Sequence, residues 1–251
     1  MIQLIKGDCL DLLPTLPAKS IDCFLCDLPY GCLAGATGSK GKWDNKLDLE
    51  QLWTQIKRMA KSDTTPVLFF CTVKYGNEII NSNPKWFRYD IVWKKTVPCG
   101  HLLSTKMPMR IHETILVFSK KGSFYNRIDE VVEGKEGYKV SPTKDVVRET
   151  IYGKNPYTPT AREDGTRCST SVVEFPVVRN THPTAKPIDL YKWLLKRYCP
   201  EGGTVLDPTA GSFNSLQACK EMGINAIGIE MNEEFYDSAK KRLADEVIVH
   251  F

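Results

Sequence analysis

The amino-acid sequence predicts an α/β fold, a doubly wound and mostly parallel sheet that carries a small loop-rich insertion. Three observations support this prediction. Short apolar runs alternate with segments of helical spacing along most of the chain. Two of these runs end directly in an acid and a proline-containing turn, at Asp27 and at Asp207. The 251 residues, 42% hydrophobic and 25% charged, are enough for one buried core.

The N-terminal part of the chain supplies most of the predicted strands. In order, the pattern predicts a strand at 1–5, a helical or turn segment at 10–16, a strand at 21–26, a helix at 49–60, and strands at 67–71, 89–93 and 114–118. Residues 31–46 are rich in glycine and lysine and show no periodicity. They are therefore predicted to form a loop of the kind that often binds a ligand.

Residues 120–180 differ in character, because they carry Pro142, Pro156, Pro159 and Pro176 and only short apolar runs. We expect an insertion with a few small strands between a first part, 1–119, and a last part, 181–251. The last part is predicted to contain a helix at 188–198, a strand at 205–206, a helix at 213–222, a strand at 226–230, a helix that Asn232 or the acids after it cap and that ends near 243, and an edge strand at 247–249.

Positive charge is concentrated in one segment. The net charge of +4 is mild. From Lys85 to Lys121, however, eight Lys or Arg residues stand against two acids, Asp90 and Glu113. This local excess suits a surface that faces phosphates, although a solvated basic face would have the same composition.

The nine cysteines are odd in number and scattered, which favours a reducing compartment and buried thiols over a disulfide framework. Cys23 and Cys26 form a lone CxxC pair inside a strand and do not indicate a zinc or redox site. No apolar stretch approaches the ~20 residues of a membrane span. The N-terminus has no signal-peptide pattern, so a cytoplasmic location is expected.

Residues 204–230 read as a nucleotide-binding unit: a strand, a glycine-containing turn, a helix and a second strand that ends in an acid. Gly211 lets the backbone approach a ligand closely, and Glu230, 23 positions after Asp207, suits the two hydroxyls of a ribose. The turn lacks the GxGxxG pattern of dinucleotide sites, and Asp207 suits a cationic amino group rather than a phosphate. S-adenosylmethionine has both a ribose for Glu230 and a cationic amino group for Asp207. An unrelated strand-turn-helix unit stays the alternative.

The late position of this unit predicts a circularly permuted order, since a doubly wound sheet normally begins with it. Gly7 and Asp8, after the first strand, would then lie near the cofactor adenine.

The other informative junction is Asp27-Leu28-Pro29-Tyr30, at the end of a buried strand. It presents an acid, a rigid proline and an aromatic ring together, a set suited to holding a flat base by its amino group.

These motifs resemble those of DNA amino-methyltransferases of the permuted (beta) class, Rossmann-like enzymes in which the catalytic tetrapeptide precedes the cofactor motif. Asp27 to Gly31 resembles the catalytic Asp-Pro-Pro-Tyr pattern. The other segments that resemble phage-type members, in the order of the family, are Lys42-Trp43-Asp44, Trp93-Lys94-Lys95, Gly100-His101, Arg110 to Phe118, His182 to Pro187, Asp207 to Ser212 and Ile227 to Glu230. Only residues 120–180 stay unmatched.

The resemblance implies a site-specific enzyme that transfers a methyl group from S-adenosyl-L-methionine to the exocyclic N6 of an adenine flipped out of duplex DNA. It implies that the Asp27 carboxylate and the Leu28 carbonyl hold the amine hydrogens, while Tyr30 stacks on the base and Pro29 fixes the turn. The catalytic half would be residues 1–119 and the cofactor-binding half residues 181–251. A target-recognition insertion, residues 120–180, would lie between them. The residues implied to bind the cofactor are Asp8, Cys9, Asp27, Thr184, Lys186, Asp207, Pro208, Thr209, Ala210, Gly211, Ser212 and Glu230. Those implied to contact DNA are Lys42, Trp43, Lys94, Lys95, His101, Arg110 and His112.

Two positions depart from the family pattern. Leu28 stands where proline is usual, but it keeps the backbone carbonyl, so activity is expected to survive with a less rigid φ. Phe213 stands where glycine is usual in the cofactor loop. A side chain there can narrow the cofactor pocket or weaken cofactor binding.

Other functions stay open. Cytosine-N4 methylation is the nearest, although the resemblance associates it with Ser rather than Asp at the first tetrapeptide position. Methyltransferases of RNA or of protein glutamine use similar tetrapeptides, but the basic segment favours a duplex. Phe213 also suggests a DNA-binding relative without turnover, and the missing pyrophosphate glycines disfavour a nicotinamide dehydrogenase. The target sequence, a restriction-modification partner and a homodimer are left undecided, and the expected setting is a bacterial or phage-infected cell.

Overall fold

Strands and helices alternate along the described part of the chain. The computed structural model describes residues 1–31, 44–131, 148–150, 153–155, 166–178, 184–243 and 247–250. The helices are α1 Cys9–Leu12, α2 Leu49–Met59, α3 Val73–Ser82, α4 Ile188–Tyr198, α5 Asn214–Glu221 and α6 Glu233–Leu243. The strands are β1 Ile2–Lys6, β2 Cys23–Cys26, β3 Val67–Cys71, β4 Phe87–Cys99, β5 Arg110–Phe118, β6 Asp129–Val131, β7 Arg148–Thr150, β8 Gly153–Asn155, β9 Thr166–Cys168, β10 Val172–Phe175, β11 Thr204–Asp207, β12 Asn225–Glu230 and β13 Val247–His250.

Nine of these strands form one sheet in the order β10-β4-β5-β3-β2-β11-β12-β1-β13. Every neighbouring pair is parallel except the two pairs that include β5, which runs antiparallel to β3 and to β4. The predicted mostly parallel α/β sheet is therefore confirmed. The carboxyl ends of β2, β11 and β12 meet at one edge, which we call the carboxyl edge. Ligands of open α/β sheets bind at this kind of edge.

The sheet is covered on both faces, which explains why its central strands are apolar without interruption. Cys23 and Leu25 of β2 belong to the core under α4, α5 and α6. Phe24 and Cys26 belong to the core under α1, α2 and α3. Cys23 and Cys26 therefore pack on opposite faces of the sheet, as the alternation along a strand requires.

Most predicted elements are present with small shifts at their ends, but one helix was missed. The sequence of α3 contains Gly76 and two asparagines, which weaken a helical pattern. Gly76 is nevertheless suited to this place, because a Cβ there would lie 2.8 Å from the Cys71 Sγ atom. Strands β4 and β5 are also longer than predicted, since they extend beyond β3 as a two-stranded hairpin.

Residues 127–170 form a compact unit of their own, and residues 1–126 with 171–251 form the other. In the smaller unit, β6 pairs with β9 and β7 with β8, both antiparallel. Pro142, Pro156 and Pro159 lie outside the described residues. β10, which the sequence analysis placed in the insertion, adds to β4 at the edge of the main sheet. Among the described residues, no helix has the length and hydropathy of a membrane span.

Candidate active site

The tetrapeptide that follows β2 forms a turn at the carboxyl edge. The Tyr30 hydroxyl donates to Asp27 Oδ1 at 3.0 Å. The Leu28 side chain is buried in the core, so this residue offers only its backbone to a ligand. The Tyr30 ring is half-buried and lies 5.7 Å from the Tyr75 ring, centroid to centroid. The Gly31 amide donates to Asp44 Oδ1 at 2.9 Å, which fixes the end of the turn.

The loop after β11 lies at the same edge. Gly211 adopts a φ of +51°, a conformation that favours glycine. Its amide donates to Glu230 Oε2 at 2.8 Å, while Glu230 Oε1 accepts from the Asn232 amide at 2.7 Å. Glu230, at the end of β12, is thereby held against the loop.

A direct hydrogen bond joins the two motifs. Thr209 Oγ1 donates to the Asp27 backbone carbonyl at 3.1 Å, across 182 positions of sequence. The bond is possible because β2 and β11 are parallel neighbours and end at the same level. Two distant chain segments therefore form one surface.

Lys186 extends this surface with a buried cation. Its side chain is 3% exposed, and Nζ lies 2.6 Å from Asp27 Oδ2 and 3.5 Å from Glu113 Oε2. Glu113 also forms an ion pair with Lys95. The four side chains make a line of alternating charge from the tetrapeptide to the start of the β4–β5 hairpin. The sequence predicts Lys186 as a cofactor residue and gives no local sign of this ion pair.

The pKa values follow from this arrangement. Burial raises the pKa of Asp27, and the Lys186 ammonium offsets part of that rise. Burial lowers the pKa of Lys186, but the Asp27 and Glu113 carboxylates outweigh it, so the net pKa is raised. Burial likewise raises the pKa of Glu113, yet Lys186 and Lys95 bring it below the usual value. Lys186 therefore stays charged and stabilises Asp27 as a carboxylate.

A cavity of about 970 Å³ opens between the two motifs. All the predicted catalytic and cofactor residues line it except Asp207. The Asp207 carboxylate is buried and accepts hydrogen bonds from the Thr209 amide and the Ser215 hydroxyl. Burial raises its pKa to about 7. Asp207 thus stabilises the loop from within the core. The sequence predicted instead that its carboxylate would face a cationic amino group of a ligand.

Phe213 does not narrow this cavity, contrary to the expectation from sequence. Its ring is fully buried in the core under α5 and α6 and lies 6.4 Å from the Tyr236 ring. The residue adopts the left-handed conformation, with a φ of 55°, directly before α5. That conformation turns the ring into the core. Gly228 leaves room for it, because a Cβ there would lie 3.0 Å from the Phe213 ring.

The residues predicted to contact DNA divide into groups. His101, Arg110 and His112 are exposed on the β4–β5 hairpin. Lys94 is exposed and pairs with Glu174 at 2.6 Å. Lys95 is buried against Glu113, so a phosphate contact would require it to leave this ion pair. Lys42 and Trp43 lie outside the described residues, as does His182 of the resembling segment.

Neither Glu113 nor Asp44 was predicted as a catalytic or cofactor residue, although both are close to the tetrapeptide. Glu113 was recognised only as part of the Arg110 to Phe118 segment. The signal that could have identified it is an acid two positions before the fully buried apolar run Ile115 to Phe118. Asp44 is 3% exposed and contacts Gly31 across the loop. Its partner could not be inferred from a segment without periodicity.

Comparison with known proteins places these features in a family. The model of the N6/N4 methyltransferase family, described as DNA methylase, matches residues 21–241. The chain is 28% identical to the type II methyltransferase M.HinfI of Haemophilus influenzae, over 96% of this chain and 68% of that protein. It is also 28% identical to the DNA adenine methyltransferase YhdJ of Escherichia coli K12, over 99% and 84%.

Solved structures with the same fold include a complex of M1.HpyAVI with SAM, with a TM-score of 0.61, 20% identity and coverage of 96% of this chain and 100% of that one. The cytosine-N4-specific PvuII DNA methyltransferase gives a TM-score of 0.65 with 13% identity, over 97% of this chain and 86% of that one. At these identities the likeness establishes the fold alone.

Proposed function

The chain belongs to the N6/N4 DNA methylase family, and we propose that it methylates the exocyclic N6 of adenine in duplex DNA. The observation that carries the proposal is the placement of Asp27, which is joined to the loop after β11 through Thr209 and ion-paired with Lys186. One cleft then serves both the methyl donor and the base. The target adenine is proposed to leave the helix stack to reach it, as enzymes that react at bases within duplexes require.

The cavity suits S-adenosyl-L-methionine, the methyl donor of N6/N4 methylases. Its lining includes the acids Asp8, Asp27, Asp44, Asp48, Glu230 and Glu233 but only two lysines. Lys46 pairs with Glu78, Lys186 with Asp27 and Glu233 with Lys6, so these charges cancel in pairs and the acids of the lining still outnumber its lysines. The remaining negative field favours a cationic ligand. We assign Glu230 to the ribose hydroxyls, Asp8 and Cys9 to the adenine side, and residues 208–212 with Thr184 to the rest of the cofactor.

S-adenosyl-L-methionine, when bound, would supply a methyl group on a sulfonium, with the C–S bond breaking as the amine lone pair forms the N–C bond. The protein would then mainly supply alignment. That lone pair is delocalised into the purine ring. The Asp27 carboxylate and the Leu28 carbonyl accept the two amine hydrogens and make the lone pair available. Tyr30 stacks on the base, and Pro29 fixes the turn. One amine proton leaves the methylated nitrogen through the Asp27 carboxylate, which the Lys186 ammonium stabilises.

Asp27 also supports adenine over cytosine, because the resemblance associates cytosine-N4 methylation with Ser at this position. Cytosine-N4 methylation stays the second candidate, since the cavity has the size for either base. The inactive DNA-binding relative loses its main argument, because the Phe213 ring packs in the core rather than in the cavity.

Base-resolution sequencing tests the proposal. The chain would be expressed in cells without DNA methylation of their own, and genomic DNA would be sequenced by a method that detects modified bases directly. We expect N6-methyladenine at one recurrent sequence and none with Asp27→Asn. N4-methylcytosine would establish the second candidate, and unmodified DNA in cells that contain folded protein would overturn both.

A further inference from the structure

The β4–β5 hairpin carries an unusual concentration of exposed apolar side chains. We define the hairpin tip as residues 96–112, which include the single 3-10 turn His101–Leu103. Leu102 is 85% exposed, Met107 51% and Leu103 49%, and Val97, Met109 and Ile111 are also exposed. No residue of the tip is buried. Since the tip has no core of its own, its apolar surface indicates a binding partner.

The tip projects from the edge of the sheet at which the active site lies. β4 runs in the same direction as β3, because both are antiparallel to β5. Cys71, the last residue of β3, pairs with Thr114, so every residue between Trp93 and Glu113 lies beyond the carboxyl end of β3. The base of the hairpin also reaches Asp27 through Lys95, Glu113 and Lys186. A partner on the tip therefore lies beyond the same edge of the sheet as the cleft.

The charge of the hairpin distinguishes between two kinds of partner. The hairpin tip has two cationic side chains, Lys106 and Arg110, and no acid, whereas Lys94 and Lys95 before it pair with Glu174 and Glu113. A second copy of the chain, paired through the same patch, would bring like charges together. A polyphosphate backbone would neutralise them. The combination of apolar side chains with flanking cations fits duplex DNA.

We propose that the hairpin tip is a wedge that opens the duplex at the target base pair, with Leu102 and Leu103 as the inserted side chains. This inference rests on the proposed function, because the wedge assists a base that must reach Asp27. Opening a base step costs a few kcal/mol, and apolar side chains between bases replace part of the lost stacking. Lys106 and Arg110 contact phosphates on either side of the opened step.

A double variant, Leu102→Ser with Leu103→Ser, tests the wedge without removing any buried side chain. The substrates are a duplex with the recurrent sequence found in cells and the same duplex with an abasic nucleotide opposite the target adenine. On the paired duplex we expect methylation to fall about 10- to 100-fold. On the abasic duplex, where the pair is already broken, we expect a rate within about twofold of wild type. Val172→Ser, at an exposed strand position, is the matched control for the loss of an apolar surface side chain.

A second variant, Lys106→Glu with Arg110→Glu, separates phosphate binding from opening. It should weaken binding to both duplexes and reduce the slope of log K against log salt by about 2. The wedge would be overturned if the serine variant lost the same factor in methylation rate on both duplexes, or lost none on either. So would conversion of a dimer into a monomer in sedimentation, which would make the tip a self-interface. Methylation of neither duplex by the wild-type protein would instead overturn the proposed function and the wedge with it.

Discussion

Thr209 Oγ1 donates a hydrogen bond of 3.1 Å to the backbone carbonyl of Asp27, so the loop after β11 and the tetrapeptide are in direct contact. The contact fixes the orientation of the Asp27–Leu28 peptide relative to the loop. In the mechanism above, the Leu28 carbonyl and the Asp27 carboxylate must both face one nitrogen. A small displacement of such a pair is costly, because catalysis by alignment depends on near-attack geometry.

Lys186→Met should move the acidic limb of the pH–rate profile to higher pH. The Lys186 ammonium lowers the pKa of Asp27 against the effect of burial, so its removal raises that pKa further and Asp27 is protonated at higher pH. The variant should also be less stable by about 3 kcal/mol, since Asp27 loses its cation while Glu113 keeps Lys95. Steady-state rates from pH 5 to 9 and urea denaturation measure both effects.

Lys192→Met is the control for the loss of an ion pair, because Lys192 pairs with Glu221 on the surface. This variant should lower the free energy of unfolding by at most about 1 kcal/mol and leave the pH–rate profile unchanged. An acidic limb at the same pH in the Lys186 variant and in the wild type would show that Asp27 does not depend on Lys186.

Glu230→Gln should weaken cofactor binding and leave DNA binding intact. In the proposed complex the Glu230 carboxylate accepts from both ribose hydroxyls, and the variant replaces it by a neutral amide. The dissociation constant of S-adenosylhomocysteine should therefore rise about 10- to 100-fold. Calorimetric titration with S-adenosylhomocysteine measures it. Glu221→Gln, on the outer face of α5, is the control. Equal affinities of the Glu230 variant and the wild type for S-adenosylhomocysteine would show that Glu230 does not bind the ribose.

Asp207→Asn should change how stability depends on pH. Because the pKa of Asp207 is raised to about 7, the folded state binds its proton more tightly than the unfolded state does. Its contribution to stability is therefore complete below pH ~4 and is lost as the pH rises through ~7. Relative to wild type, the variant should gain stability from pH 4 to pH 8, by at most ~4 kcal/mol.

Denaturation curves at both pH values give the difference, and Asp11→Asn, an exposed substitution on α1, is the reference. A constant difference between the Asp207 variant and the wild type would mean that Asp207 is ionised throughout this range.

Phe213→Gly should destabilise the protein by about 2–4 kcal/mol. Removal of a buried aromatic ring costs about 3–5 kcal/mol, and glycine recovers only about 1 kcal/mol of the left-handed backbone strain. Phe213→Ala, which keeps the strain, should be less stable still. Affinity for S-adenosylhomocysteine should stay close to wild type in both variants. A marked gain in affinity for Phe213→Gly would show that the ring does restrict the pocket.

The sequence was sufficient for the parts of the site that short motifs encode. The Asp27 turn and the loop before α5 follow apolar strands, and parallel strands bring their carboxyl ends together. The Lys186–Asp27 and Lys186–Glu113 pairs were not predictable, because side chains far apart in sequence meet only after the sheet has formed. The direction of the Phe213 ring likewise depends on a left-handed φ and on the space above Gly228, and neither property has a local signature.

The most direct test of the single cleft is a crystal structure with S-adenosylhomocysteine, the demethylated product of the proposed cofactor. We expect its ribose hydroxyls within hydrogen-bond distance of Glu230, its adenine beside Asp8, and its sulfur facing the turn at Asp27. A ligand bound elsewhere, or with its sulfur directed away from Asp27, would contradict the account.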